Sequence, residues 1–234
     1  MKDTSRPKKP AKIWETLKRI GKAILREKKF VDSSAKYWDK RYQSGGNSGA
    51  GSYGKFADWK AEVLNAFVQE NNVQTVIELG CGDGNQLSLA EYPAYIGFDV
   101  SEYAVEMCCK RFESDNTKSF KHMNNYHAEK AELTLSLDVI YHLVEDDVFE
   151  NYMKCLFESS SRFVVIYSSN DETLNADTVR HVRHRKFTDW IDKNFPQWRF
   201  IKTIPNKYPQ CGNHLEGSFS DFFFYEKRDV GQCE

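Results

Sequence analysis

The decisive stretch of this chain is Val76-Ile77-Glu78-Leu79-Gly80-Cys81-Gly82-Asp83-Gly84-Asn85. The apolar run over residues 73–79 predicts a buried strand. The glycines behind it predict a turn where backbone passes close to a ligand, because glycine has no side chain to collide with it. A dinucleotide fingerprint would need a glycine at position 85, where this chain has Asn85. Glu78, at the strand end, would repel a pyrophosphate but suits a positively charged amino-acid group. Asp99 follows about 20 residues on, at the end of the next expected strand, where a carboxylate accepts hydrogen bonds from ribose hydroxyls.

Outward from this turn the pattern alternates. A short helix is expected directly after the turn, then a strand over 95–100 and a helix over 101–112 with Ser101 as its N-cap. Strands are expected over 119–123, 133–141 and 163–167, and helices over 146–157 and 188–194. Two closing strands, 198–204 and 218–226, have no helix between them and so predict an antiparallel hairpin at one sheet edge. The whole reads as an α/β fold: a Rossmann-like, seven-stranded, mostly parallel sheet with an antiparallel C-terminal hairpin and helices on both faces.

In front of the turn the sequence predicts helices near 34–42 and 56–70. Between them residues 44–54 are too rich in glycine to hold regular structure. Further forward, Ile13, Trp14, Leu17, Ile20, Ile24 and Leu25 share one helical face among basic residues. Residues 1–30 carry eleven Lys and Arg against three Asp and Glu, so the rest of the chain has a net charge of about −9. Residues 11–29 therefore suit peripheral contact with an anionic membrane surface, or packing on the protein's own domain or a second copy as a homodimer. The expected organisation is a basic tail and amphipathic helix over 1–32, helices and a glycine-rich lid over 33–70, and the main domain over 71–229.

The totals exclude several classes. No apolar run approaches the length that spans a bilayer, and no signal core opens the chain, so the expected location is the cytoplasm, with residues 11–29 reaching the inner face of the membrane if they bind lipid. None of the six cysteines has zinc-site spacing, and no metal is assigned. The acidic body makes nucleic acid an unexpected partner.

Together, Glu-Leu-Gly-Cys-Gly-Asp-Gly-Asn from Glu78, Tyr-Ile-Gly-Phe-Asp-Val-Ser from Tyr95 and Leu-Ser-Leu-Asp-Val-Ile-Tyr-His-Leu from Leu135 resemble class I S-adenosylmethionine-dependent methyltransferases. The resemblance implies a cofactor set of Glu78, Gly80, Cys81, Gly82, Gly84 and Gln86 on the turn, Asp99 and Val100 after the second strand, Asn125 after the third, Asp138 after the fourth, and Tyr37 and Arg41 from a segment that folds over the cofactor. Tyr-Trp-Asp-Lys-Arg-Tyr, Ser-Gly-Ala-Gly-Ser-Tyr-Gly and Ile-Tyr-Ser-Ser-Asn are similar to methyltransferases of bacterial polysaccharide synthesis, which implies O-methylation of a sugar hydroxyl on a surface glycan or its precursor. An acidic sugar is one form of that expectation; a small-metabolite acceptor and a non-catalytic cofactor-binding protein are the alternatives.

Alkylating an alcohol calls for a base. His142 is the first candidate, since imidazole titrates near neutrality; His181, His184 and Asp138 are the others. The run Arg180-His181-Val182-Arg183-His184-Arg185-Lys186 lies where the acceptor pocket is expected. Arg183 and Arg185 there suit a carboxylate or phosphate clamp. Tyr53, Tyr141 and Asn170 complete the expected acceptor set.

Overall fold

The computed structural model describes residues 33–177, 179–210, 212 and 215–228. The basic leader over 1–32 lies outside them. Seven strands form one sheet in the order β3-β2-β1-β4-β5-β7-β6. These are β1 Thr75–Leu79, β2 Ala94–Asp99, β3 Lys118–His122, β4 Ala131–Leu137, β5 Ser160–Ser168, β6 Trp198–Ile204 and β7 Asp221–Lys227. The first five pair in parallel, and β7 runs antiparallel between β5 and β6, which gives the expected hairpin edge. The helices are α1 Ser34–Gln43, α2 Gly54–Glu70, α3 Glu102–Arg111, α4 Asp146–Glu158 and α5 Phe187–Asn194.

Period-two side chains split the core into two layers. Val76, Leu133, Leu135, Val165, Phe222 and Phe224 point to one face, under Trp59, Leu64, Phe67 and Val68 of α2. Their neighbours Ile77, Leu79, Val164, Ile166 and Tyr225 point to the other, under Phe149, Met153 and Leu156 of α4 and Phe187 and Ile191 of α5. Full burial of one such side chain contributes about 1.5–3 kcal/mol, and strands buried on both faces are why β4 and β5 read as unbroken apolar runs. The chain leaves β1 in one direction, through β2 and β3, and returns to β4 on β1's other side. That switch opens a crevice at the carboxyl ends of β1 and β4, where open α/β sheets bind ligands.

Several boundaries differ from expectation, each for a local reason. β4 stops at Leu137 because Asp138 takes a φ of 60°, and residues 140–142 form a single 3₁₀ turn. The expected helix after the glycine turn is only the 3₁₀ turn Leu87–Leu89. β7 begins at Asp221, since the Ser218 N–H is donated to the Tyr208 carbonyl. The glycine-rich stretch is ordered, with a 3₁₀ turn over Ala50–Ser52. Ser101 caps α3 as expected, its hydroxyl accepting from the Ala104 N–H.

Candidate active site

A cavity of about 370 Å³ occupies the crevice, within the size range of sites that enclose a small cofactor. Its floor is the glycine turn. Gly80 has a φ of 87°, and a Cβ there would stand 2.6 Å from a methyl of Val139, so only glycine fits between β1 and the turn after β4. Asp99 organises the same turn: its carboxylate accepts the N–H groups of Gly82 and Ser101, each at 2.9 Å. Burial outweighs these bonds and raises its pKa.

Two further acceptors line this end of the cavity. Glu78 accepts the Tyr95 hydroxyl at 2.7 Å; burial, only partly offset by Tyr95 and Lys60, pushes its carboxyl up to about 7. Gln86 donates its amide to the Ala57 carbonyl at 3.0 Å, which leaves its Oε1 buried with no partner. A buried acceptor without a donor is costly, and here it borders a cavity. A cationic ligand group would satisfy both Glu78 and Gln86.

A strap crosses this cavity. The start of α1 is clasped to the turn before α4: Ser34 donates its N–H at 3.0 Å and its hydroxyl to the Glu145 carboxylate, and Val144 donates to the Ser34 hydroxyl. Asp39 accepts the Ser101 hydroxyl at 2.8 Å. Beyond α1, Asp83 of the glycine turn accepts the Ser48 N–H at 2.9 Å and the Tyr53 hydroxyl at 2.7 Å. Burial works to raise the Asp83 carboxyl, but these bonds and the Asn85 N–H outweigh it and hold it below its usual range. These contacts order a segment whose glycine content alone predicts none.

The expected cofactor residues separate into two groups. Glu78, Gly80, Cys81, Gly82, Gln86, Asp99, Val100 and Asp138 line the cavity. Gly84 packs under the turn, where a Cβ would meet Phe112 and Cys108. Asn125 is exposed, and Met123 of the same turn lines the cavity instead. Tyr37 stacks on His181 with ring centroids 4.3 Å apart, and Arg41 lies over Trp38 and donates to the Asn47 carbonyl. The strap residues on the cavity wall are Ser34, Ala35, Trp38, Tyr42, Ser48 and Ser52.

On the acceptor side His142 lines the cavity. Its Nδ1 lies 3.1 Å from the His181 carbonyl. A carbonyl only accepts, so Nδ1 carries the proton and Nε2 carries the free lone pair. Trp38, Tyr141 and His181 pack around the ring, and burial pushes the imidazole down to about 4. Burial also lowers His181 and His184. His184 is buried, its Nδ1 bonded to the Ser169 hydroxyl.

Asp138 sits at the centre of a buried network. It accepts from Lys60 Nζ at 2.8 Å, the Tyr141 hydroxyl at 2.9 Å and the Ser220 hydroxyl at 3.3 Å. Lys60, whose side chain is 0% exposed, escaped the sequence reading. The available signal was its register: Lys60 falls in the apolar stripe of Phe56, Ala57, Leu64 and Phe67, where a charge needs a partner.

The remaining acceptor residues are engaged elsewhere. Asn170 pairs with Thr188 at the start of α5, and Tyr53 is bound to Asp83. Arg183 donates to the Val144 carbonyl and pairs with Asp146. Arg185 donates to the carbonyls of Leu143 and Val144 and to Asp146. The expected anion clamp is therefore turned onto the start of α4, outside the cavity lining.

Residues 39–207 match the family model described as the mRNA (guanine-N(7))-methyltransferase domain. No curated protein sequence matches the chain. Among solved structures, the N-methyltransferase NodS from Bradyrhizobium japonicum WM9, in complex with S-adenosyl-L-homocysteine, superposes with a TM-score of 0.67 at 14% identity, over 85% of this chain and 100% of that one. Magnesium protoporphyrin IX methyltransferase (ChlM) from Synechocystis PCC 6803, with bound SAH, gives 0.57 at 15% identity, over 88% and 99%. The methyltransferase domain of bacterial CtHen1-C gives 0.57 at 18% identity, over 74% and 98%. At these identities the likeness is one of fold.

Proposed function

This chain belongs to the family of the mRNA (guanine-N(7))-methyltransferase domain and is an S-adenosylmethionine-dependent methyltransferase; from that premise we propose that it methylates a hydroxyl group, with His142 accepting the proton. S-adenosylmethionine supplies a methyl group activated by a sulfonium. The cavity residues fit it: Glu78 and the unpartnered Gln86 Oε1 suit its ammonium, Lys60 its carboxylate, and Asp99 its ribose hydroxyls. Met123 and Val100 offer apolar surface for the base. The strap formed by α1 and residues 47–53 excludes water from the transfer, and alignment in a dry site is what this reaction needs most.

The observation that carries the choice of a hydroxyl is His142. Its Nε2 is left as an acceptor by the bond at Nδ1, and it lines the cofactor cavity. A hydroxyl must lose a proton as its oxygen attacks, and a neutral imidazole held in one tautomer can take it. A guanine N7 already presents a lone pair and needs no base. A capped RNA would also bring phosphates, and Arg183 and Arg185 are engaged with α4 and its leading turn.

The resemblance of the segments at Tyr37, Ser48 and Ile166 supports a sugar as the bearer of that hydroxyl, on a surface glycan or its precursor. The narrower expectation of an acidic sugar loses its support, because the two arginines that prompted it face Asp146. The proposed order of roles is His142 as base, Tyr141 and Asp138 as the polar floor beside it, and His181 as the group that fixes the base.

The test is transfer of labelled methyl from S-adenosylmethionine into a fractionated surface-polysaccharide precursor pool and, in parallel, into guanosine-capped RNA. The expected result is an alkali-stable ether in the saccharide fraction. His142→Ala is expected to lower turnover by about 10²–10⁴-fold, the usual contribution of general base catalysis. Label in the cap, or full turnover by His142→Ala, would overturn the proposal.

A further inference from the structure

The run from Arg180 to Lys186 has no function in the reading above except through the His181 carbonyl. Its contacts converge on one element, the turn that carries His142. Arg183 donates its backbone N–H to the Tyr141 carbonyl at 2.7 Å. The Arg183 guanidinium takes the Val144 carbonyl at 3.0 Å. Arg185 takes the carbonyls of Leu143 and Val144 together and closes on Asp146 at 3.0 Å. Its guanidinium also lies 4.6 Å from the centre of the Phe149 ring. The residues on both sides of His142 are thus gripped from one loop.

We propose that Arg185 is a positioning residue for His142, its planar fork fixing the backbone of residues 143–146 so that the imidazole keeps Nδ1 on the His181 carbonyl and Nε2 at the cavity. This inference rests on His142 being the base. The two carbonyls and the carboxylate form a planar acceptor array that a guanidinium matches and an ammonium does not. Arg185 is buried, so its bonds face little competition from water. The leading turn of α4 would otherwise leave the Leu143 and Val144 carbonyls poorly satisfied. The arrangement explains why basic residues stand beside the acceptor site without binding an anion: they replace the hydrogen bonds that a continuous helix would have given this turn.

The test reads the imidazole directly and needs no acceptor. In protein labelled with nitrogen-15, long-range proton–nitrogen correlations report the tautomer and titration of His142, assigned by loss of its signals in His142→Asn. The groups around the ring are His181, Tyr141 and Trp38 in contact, with Asp138 and Arg41 acting through charge. In the wild-type protein the Nδ1–H form is expected, uncharged down to about pH 4. In Arg185→Lys the turn loosens and water reaches the ring. The titration midpoint is then expected to move toward the ordinary imidazole value near 6.5, with a mixture of tautomers, while S-adenosylhomocysteine affinity stays within about threefold. Asp146→Asn, which removes the carboxylate orienting both guanidinium groups at an exposed position, is expected to shift the midpoint the same way by less, and serves where Arg185→Lys fails to fold. An unchanged tautomer and midpoint in both variants would overturn the inference. Turnover retained by His142→Ala would instead overturn the role of His142 as base, leaving the imidazole response to Arg185 as a separate reading.

Discussion

Replacing Lys60 by methionine removes one half of a buried ion pair and keeps most of the side chain's volume. Lys60 Nζ lies 2.8 Å from Asp138, with the two side chains 0% and 13% exposed. Breaking such a pair from one side leaves an uncompensated charge and costs about 3–5 kcal/mol. The Tyr141 and Ser220 hydroxyls still donate to Asp138, which places the expected loss near the lower end, about 3 kcal/mol. For a domain of this size about 2–4 °C of melting temperature accompany each kcal/mol, so Lys60→Met is expected to melt roughly 6–12 °C lower. The double variant Lys60→Met with Asp138→Asn removes the orphaned charge and is expected to recover much of that loss. Urea titrations followed by circular dichroism on the four proteins of this cycle give the coupling energy, expected between about 0.5 and 3 kcal/mol for groups in contact. Lys60→Met within about 0.5 kcal/mol of wild type, the range of ordinary surface substitutions, would refute the view that this pair anchors the site.

Two further outcomes follow from the cavity. The Glu78 carboxyl is raised by burial to about 7, so between about pH 4.5 and 7 the folded protein holds a proton that the unfolded chain releases, and stability of the free protein falls as pH rises through that window. A ligand ammonium favours the ionised form, so S-adenosylhomocysteine affinity is expected to rise with pH up to about 7 and then level, a trend that calorimetry should find abolished in Glu78→Gln. Asp83→Asn weakens the bonds to Ser48 and Tyr53; amide exchange over residues 47–53 is expected to speed up at least tenfold and S-adenosylhomocysteine release to quicken with it, and unchanged exchange would mean the strap is held by other contacts. Because the Asp83 carboxyl is depressed, its contribution is present above the usual carboxylate range and is lost as pH falls through its folded value.

What was legible in the sequence is what local chemistry decides. Residues 76–84 fix a strand and a glycine turn without outside help, and Ser101 announces a helix start. The hairpin of β6 and β7 follows from two strands with no helix between them. The end of β4 was not legible, since the positive φ of Asp138 leaves no mark on the apolar pattern. Asp83 was passed over because its partners Ser48 and Tyr53 come from a segment at least thirty residues earlier. Arg183 and Arg185 misled for a related reason: charge alone suggests an anion, whereas their partners are the carbonyls of Leu143 and Val144, forty residues away, which only the tertiary fold brings near. Lys60 did leave a mark, a charge in the apolar stripe of α2.

The most direct test of the proposed hydroxyl chemistry is a structure of the protein with S-adenosylhomocysteine bound. The expected result places the sulfur facing His142 Nε2, with room for one hydroxyl between them and Nδ1 still on the His181 carbonyl. A sulfur turned away from His142, or a different titratable side chain in line with it, would contradict the assignment of His142 as the base.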